Sequence, residues 1–196
     1  MKVENRKIVT ENFNDKFFKM KINVPAYEEV SAEAQTIFDK LKTATGKVPN
    51  LYATIGYSAN ALSSYMAFVQ AQVKSSFHGK DREAIFLIVS QLNGCEYCLS
   101  SHTLSAIKFG WTEEETLQLR AGNFHEVKWQ AIFNIIRSVI ENKGDVNEEL
   151  LNAFFETGYN MAALIDLMTL INIMSFTNYV YRLTKIPIDF PLAKAI

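Results

Sequence analysis

Apolar residues recur along this chain at three- and four-residue intervals, and stretches that alternate with a period of two are scarce. The pattern predicts helix after helix. Pro25 opens a first helix from Tyr27 to about Thr43, striped by Ile37, Phe38 and Leu41. Gly46-Lys47-Val48-Pro49-Asn50 breaks it, and a short segment, Leu51 to Tyr57, follows. Ser58-Ala59-Asn60 offers a cap for a helix from Ala61 to about Phe77, with Leu62, Tyr65, Met66, Val69 and Val73 on one face. Gly79 ends that helix. Asp81 can cap the next, Arg82 to about Leu92, which carries Ile85, Ile88, Val89 and Leu92.

Asn93-Gly94 is a tight break before a helix from Cys95 to Phe109, which Gly110 can terminate in the left-handed conformation. Thr112 with Glu115 forms a capping box for a short helix ending near Arg120. A longer helix runs from Glu126 to about Asn142. Lys143-Gly144-Asp145 breaks it, and Asp145 with Glu148 repeats the capping pattern. The last two helices are Glu148 to Glu156 and Met161 to Leu183. The final one is apolar nearly all round, so it is expected to be covered on every side, as the central core helix or at a subunit interface. The fold class is therefore all-α: residues 1–40 form an N-terminal extension with the first helix, and 41–196 a helical domain, together one compact unit.

Composition narrows the function. Apolar residues make up 48% of the chain, enough for a sizeable core, and the formal net charge is −1. Basic and acidic residues are interspersed, so no nucleic-acid footprint or charged tail stands out. The N-terminus carries charges throughout and no apolar run of signal-peptide length. The most apolar stretch, Ala162 to Phe176, contains Asp166 and Asn172 and is short of the roughly 20 apolar residues a membrane span needs. A cytoplasmic protein that binds neither membrane nor nucleic acid is expected.

The two cysteines stand three apart, in Cys95-Glu96-Tyr97-Cys98. A secreted disulfide scaffold would show several at wide spacings, so the pair points to redox chemistry or a metal. On a helix, Cys95, Cys98 and His102 share a face. The pair falls in the first turn, where free amides and the helix dipole favour a thiolate. An imidazole there can accept the thiol proton, and the second cysteine can resolve an oxidised first one. If antiparallel helices fold about Gly94, the Glu83 side chain reaches His102 more easily than the thiols. A relay from Glu83 to His102 to Cys98 follows, with the carboxylate orienting the ring.

Plainer readings compete. Two nearby cysteines can be inert core residues, and Glu83 alone would be a first-turn glutamate favoured by the dipole. Zinc is the sharper rival: the two cysteines and His102 could supply three ligands, with Glu83, His78 or His125 as a fourth. The second ligand pair of a structural zinc site is missing, however. His78 and His125 read as surface residues, and Trp111 and Trp129 as packing.

The run from Glu83 through Cys95 and Cys98 to His102 resembles the core of the alkylhydroperoxidase D-like, carboxymuconolactone decarboxylase family, closest to its peroxidase-related branch. Gly46 to Asn50, Ala106 to Gly110 and Ile186-Pro187-Ile188-Asp189-Phe190 agree as flanks. The resemblance implies an all-helical homo-oligomer, a trimer or hexamer. It also implies a thiol peroxidase in which Cys98 attacks the peroxide, Cys95 resolves it, and His102 and Glu83 relay protons. No haem or flavin is implied; the partners would be a peroxide and a dithiol electron donor, protein or small thiol. The characterised peroxidase has a histidine directly before the second cysteine, where this chain has Tyr97, a poor base at neutral pH. Turnover is therefore expected to be weaker or the relay simpler. The decarboxylase branch lacks the cysteine pair, which argues against that activity. A non-redox lyase using Glu83 and His102 as acid and base, and a non-enzymatic thiol redox sensor, are the alternatives.

Overall fold

The computed structural model describes residues 22–196. The charged opening, residues 1–21, and with it half of the expected N-terminal extension, lies outside the described residues. Nine α-helices and no strand occur among the described residues: α1 Ala32–Thr45, α2 Asn50–Ile55, α3 Ala59–Ala71, α4 Lys80–Leu92, α5 Glu96–Lys108, α6 Glu113–Ala121, α7 Val127–Glu141, α8 Glu148–Glu156 and α9 Met161–Thr184.

Local chemistry sets most boundaries. The stretch expected as one helix from Tyr27 is a single 3-10 turn, Tyr27–Glu29, followed by α1. The break falls at Ser31, whose hydroxyl accepts from the Ala34 amide, because serine satisfies a helix start better than a helix interior. Ser58 caps α3, and that helix ends at Ala71 in a second 3-10 turn. Gly79, not Asp81, occupies the cap position of α4. The Thr112–Glu115 capping box forms as expected. The second box does not: Asn147 caps α8 through the Leu150 amide, while the Asp145 carbonyl accepts from Ser138 Oγ.

The central helix is α4, not α9. Every residue from Glu83 to Ser90 is buried, and α5, α6, α7 and α9 pack around it. Ile85, Leu87 and Ile88 have no exposed surface, and each such side chain contributes about 1.5–3 kcal/mol of apolar burial. Helix α9 is 24 residues long, longer than the expected apolar stretch, and by length and composition alone could cross a membrane. Its inner face, with Leu167, Leu170, Ile171, Ile173 and Met174, closes the core. Within one chain its outer face is not covered: Ile165, Met168, Phe176, Tyr179 and Leu183 are exposed.

A buried polar network joins α9 to the end of α4. The Asn93 side-chain amide donates to Asn178 Oδ1 at 3.0 Å, and Asn178 Nδ2 donates to Ser90 Oγ at 3.3 Å. Arg182 Nη1 donates to the Asn93 carbonyl. These bonds hold the Asn93-Gly94 turn, where Gly94 adopts a left-handed φ of 63°. After α9 the chain runs back across the fold. The Lys194 carbonyl accepts from Arg120, and the Ala193 amide donates to Ser100 Oγ.

Replacing Asn178 with alanine leaves the buried amide of Asn93 and the Ser90 hydroxyl each short of a partner. The expected loss is about 1–3 kcal/mol of stability, read as a lower urea midpoint at unchanged slope.

Candidate active site

The turn after α4 determines where the sulfurs lie. The Cys95 amide donates to the Ser90 carbonyl at 2.9 Å, which makes Cys95 the cap residue of α5. Its sulfur accepts from the Cys98 amide at 3.2 Å, taking the role an oxygen usually fills at a helix start. Cys95 and Cys98 are joined as a disulfide, with Cα atoms 5.3 Å apart. The pair therefore sits where unpaired amides and the helix dipole favour sulfur in its anionic form.

The two sulfurs have different surroundings. Cys98 lines a cavity of about 540 Å³ together with His102, Tyr52, Tyr65, Tyr97 and Thr177. Cys95 is completely buried and does not line that cavity. Access to the dithiol is thus through Cys98.

Glu83, in the first turn of α4, points across to α5. Its Oε2 lies 2.7 Å from His102 Nδ1. A carboxylate only accepts, so Nδ1 carries the proton and a neutral ring keeps its lone pair on Nε2. Glu83 is buried, and its other oxygen lies 3.6 Å from Arg82 Nη2. The edge of Phe86 meets the imidazole at 5.0 Å between centroids, holding the ring from a third side. The structure thus brings together all four residues singled out in the sequence: Cys95, Cys98, His102 and Glu83.

The other histidines stay apart. His78 is exposed, and His125 lines a separate depression together with Trp111 and Trp129. Neither lines the dithiol cavity, so neither provides the fourth ligand a zinc site would need there.

Three tyrosines complete the cavity; the sequence draws attention to Tyr97 as a poor base, but not to Tyr52 or Tyr65 as cavity residues. The rings of Tyr52 and Tyr65 meet edge-on at 5.8 Å. Burial raises both phenol pKa values, and the charge on Glu83 adds to the shift. They stay protonated as hydrogen-bond donors at any physiological pH. Tyr65 had registered only as one position of an apolar stripe; a tyrosine on a buried face, whose hydroxyl needs a partner, was the available signal. Tyr97 donates to Asp189 Oδ1 at 2.6 Å and accepts from the Leu51 amide at 3.1 Å. Burial, then the bond to Asp189, raises its pKa, so it is no base.

Asp189 gathers remote parts of the chain at the cavity wall. Besides Tyr97 it takes Lys47 Nζ at 2.9 Å and the Asn50 amide at 3.4 Å. Lys47 also lies 4.1 Å above the Phe190 ring. Burial alone would raise the Asp189 pKa; the bonds from Tyr97 and Lys47 outweigh it and bring it below the ordinary value. This latch joins the Gly46–Asn50 loop, the segment after α9 and Tyr97, the residue directly before the second cysteine.

Fold and site together define an all-helical protein with a paired-cysteine centre at the start of a helix. The carboxymuconolactone decarboxylase family model matches residues 59–132. The uncharacterized protein YdfG of Bacillus subtilis (strain 168) is 34% identical over 104 residues, covering 50% of this chain and 69% of that one. The chain belongs to the carboxymuconolactone decarboxylase family.

Solved structures agree in fold. The alkylhydroperoxidase AhpD core of an uncharacterized peroxidase-related protein from Ralstonia eutropha JMP134 superposes with a TM-score of 0.73. The match is 18% identical and covers 82% of this chain and 87% of that one. An uncharacterized peroxidase-related protein from Silicibacter sp. TM1040 gives 0.72 at 17% identity, over 88% and 92% of the two chains. A cysteine-to-alanine variant of the debrominase Bmp8, in complex with 2,3,4-tribromopyrrole, gives 0.68 at 16% identity, over 81% and 86%.

The Asp189 latch has a pH signature. Because its folded pKa lies below the unfolded one, its stabilisation is complete above about pH 5. It is lost as pH falls from about 4 through the folded value. Asp189→Asn is expected to cost about 1 kcal/mol at pH 7, since Lys47 is half-exposed, and to flatten the acid limb of stability. Denaturant titrations from pH 7 to 3 on both proteins check it; parallel curves would refute the assignment.

Proposed function

We propose that the protein is a thiol-dependent peroxidase that cycles Cys95 and Cys98 between dithiol and disulfide. The reading is carried by one asymmetry: Cys98 lines the cavity beside His102, while Cys95 lies sealed behind it within bonding distance.

In the reduced protein His102 Nε2 takes the Cys98 thiol proton, with Nδ1–H held by Glu83 at 2.7 Å. The Cys98 thiolate attacks the outer peroxide oxygen and the O–O bond breaks. The departing oxyanion takes a proton from the imidazolium, and the Tyr52 phenol, which accepts from Tyr65, is available to donate to it. Cys98 becomes a sulfenic acid. Cys95, its thiolate favoured by the Cys98 amide, attacks that sulfur; water leaves and the disulfide forms. One peroxide and two thiols give one alcohol, one water and one disulfide. An external dithiol, protein or small molecule, then reduces the disulfide. Because Tyr97 is held as a donor to Asp189, His102 is the base in this scheme.

The bare outer face of α9 supports a homo-oligomer, the assembly expected from the family resemblance. Ile165→Lys is then expected to lower the mass found by light scattering.

Peroxide consumption with a dithiol donor tests the chemistry. Cys98→Ser and Cys95→Ser should both lose multiple turnover. Cys95→Ser should still oxidise once, giving a sulfenic acid trapped by dimedone at Cys98. Glu83→Gln should lower kcat/KM by about 100-fold, near the low end of what general acid–base assistance contributes. Wild-type rates in Cys98→Ser would sink the peroxidase. Unchanged lactone turnover in that variant would favour a lyase, and reversible oxidation without repeated turnover a redox sensor.

A further inference from the structure

The cavity extends well beyond the sulfur. Cys98, Ser101, His102, Ser105 and Lys108 all line it, and their spacing puts them on one face of α5. Ten residues separate Cys98 from Lys108, so the helix carries the wall about 15 Å from the sulfur to the last turn. Its other walls include Leu41, Leu51, Phe190 and Pro191. Hydrogen peroxide needs little of 540 Å³. The space thus holds a sulfur at the first turn of α5 and an ammonium at its last turn, with apolar side chains among its other walls.

The charged groups that line the cavity are not equally paired. Lys47, Lys108 and Asp189 all line the cavity. Lys47 is paired with Asp189 at 2.9 Å. Among the described residues no carboxylate lies within ion-pair distance of Lys108. One cation is therefore left to meet a ligand anion.

We infer that the preferred substrate is a long-chain hydroperoxy-carboxylate, its hydroperoxide at Cys98 and its carboxylate at Lys108. This rests on the peroxidase reading and adds the substrate class. An extended chain advances about 1.25 Å per carbon–carbon bond, so a dozen bonds span about 15 Å. The reaction is the one given above: the hydroperoxide is reduced to the hydroxy acid and water, with the external dithiol supplying both electrons. The Lys108 ammonium takes no part in bond breaking; it is a specificity-determining group.

Linoleic acid 13-hydroperoxide, with twelve bonds between carboxyl carbon and hydroperoxide carbon, is the probe, and its methyl ester is the control. At low salt kcat/KM for the acid should exceed that for the ester about three- to tenfold, as one partly exposed ion pair allows. The preference should shrink as salt rises. In Lys108→Glu the acid should lose this advantage through KM, by a larger factor than any change in the ester. Equal rates for acid and ester in the wild type, or an equal loss of both in the variant, would overturn the inference while leaving the peroxidase intact. Binding supplies the second arm. The disulfide form should hold the 13-hydroxy acid several-fold more tightly than its methyl ester, and Lys108→Glu should abolish that difference. Absence of turnover with every peroxide would defeat the peroxidase reading, whereas equal binding of acid and ester would defeat the Lys108 assignment.

Discussion

A carboxylate buried on the central helix is tolerated only if something charged or strongly donating meets it, and the pairing of Glu83 with His102 meets that need. Burying an unpartnered carboxylate would cost several kcal/mol, so the fold is constrained to bring α5 against α4 in the register that closes this 2.7 Å contact. The rest of the site follows from that register. Once His102 is held, Cys98 lies one turn before it on the same face and is turned to the same cavity. Cys95, three residues earlier, is drawn under the helix start and out of the cavity. The difference between an approachable and a sealed sulfur is thus a consequence of helix geometry around one hydrogen bond between a buried carboxylate and an imidazole.

The turn between the helices is equally constrained, but by neutral groups. Asn93 and Asn178 are buried side chains that satisfy each other, and Ser90 contributes both its hydroxyl and its carbonyl. Gly94 faces Arg182 closely: a Cβ there would lie 3.3 Å from Nη1, in a conformation other residues rarely adopt. The cap position of Cys95 is thereby tied to the last long helix of the chain.

Helix class and the four chemical residues were legible because they obey local rules. Three- and four-residue spacing marks helical faces, and Cys95, Cys98 and His102 share a face whatever surrounds them. The role of α4 was hidden by the same logic. Ala84 to Val89 is an unbroken apolar run, and reading only Ile85, Ile88 and Val89 as a stripe suggests one covered face, whereas α4 is covered on all. Helix α9 reads as a centre or an interface because it is apolar nearly all round, yet its outer face is exposed in the single chain. The first helix failed at Ser31, where a cap outweighs a continuing stripe. The cavity was illegible for a different reason: Lys47, Tyr52, Tyr65 and Asp189 lie far apart along the chain, and nothing periodic connects them.

Tyr97 illustrates how a distant segment redefines a local residue. As a residue between two cysteines it looks like a weak substitute for a base. With Asp189 placed 2.6 Å from its hydroxyl and the Leu51 amide on the other side, it becomes a buried strut. A phenol can donate to one group and accept from another at once, which an imidazolium cannot do. The dithiol loop is thereby fastened to α2 and, through Asp189, to the returning C-terminal segment and Lys47. Structural support at this position falls to Tyr97, while the imidazole held by Glu83 stands one turn beyond Cys98 on the same cavity. The wall that Tyr97 supports is the same wall that gives Cys98 its cavity, so the substitution follows from how the cavity is built.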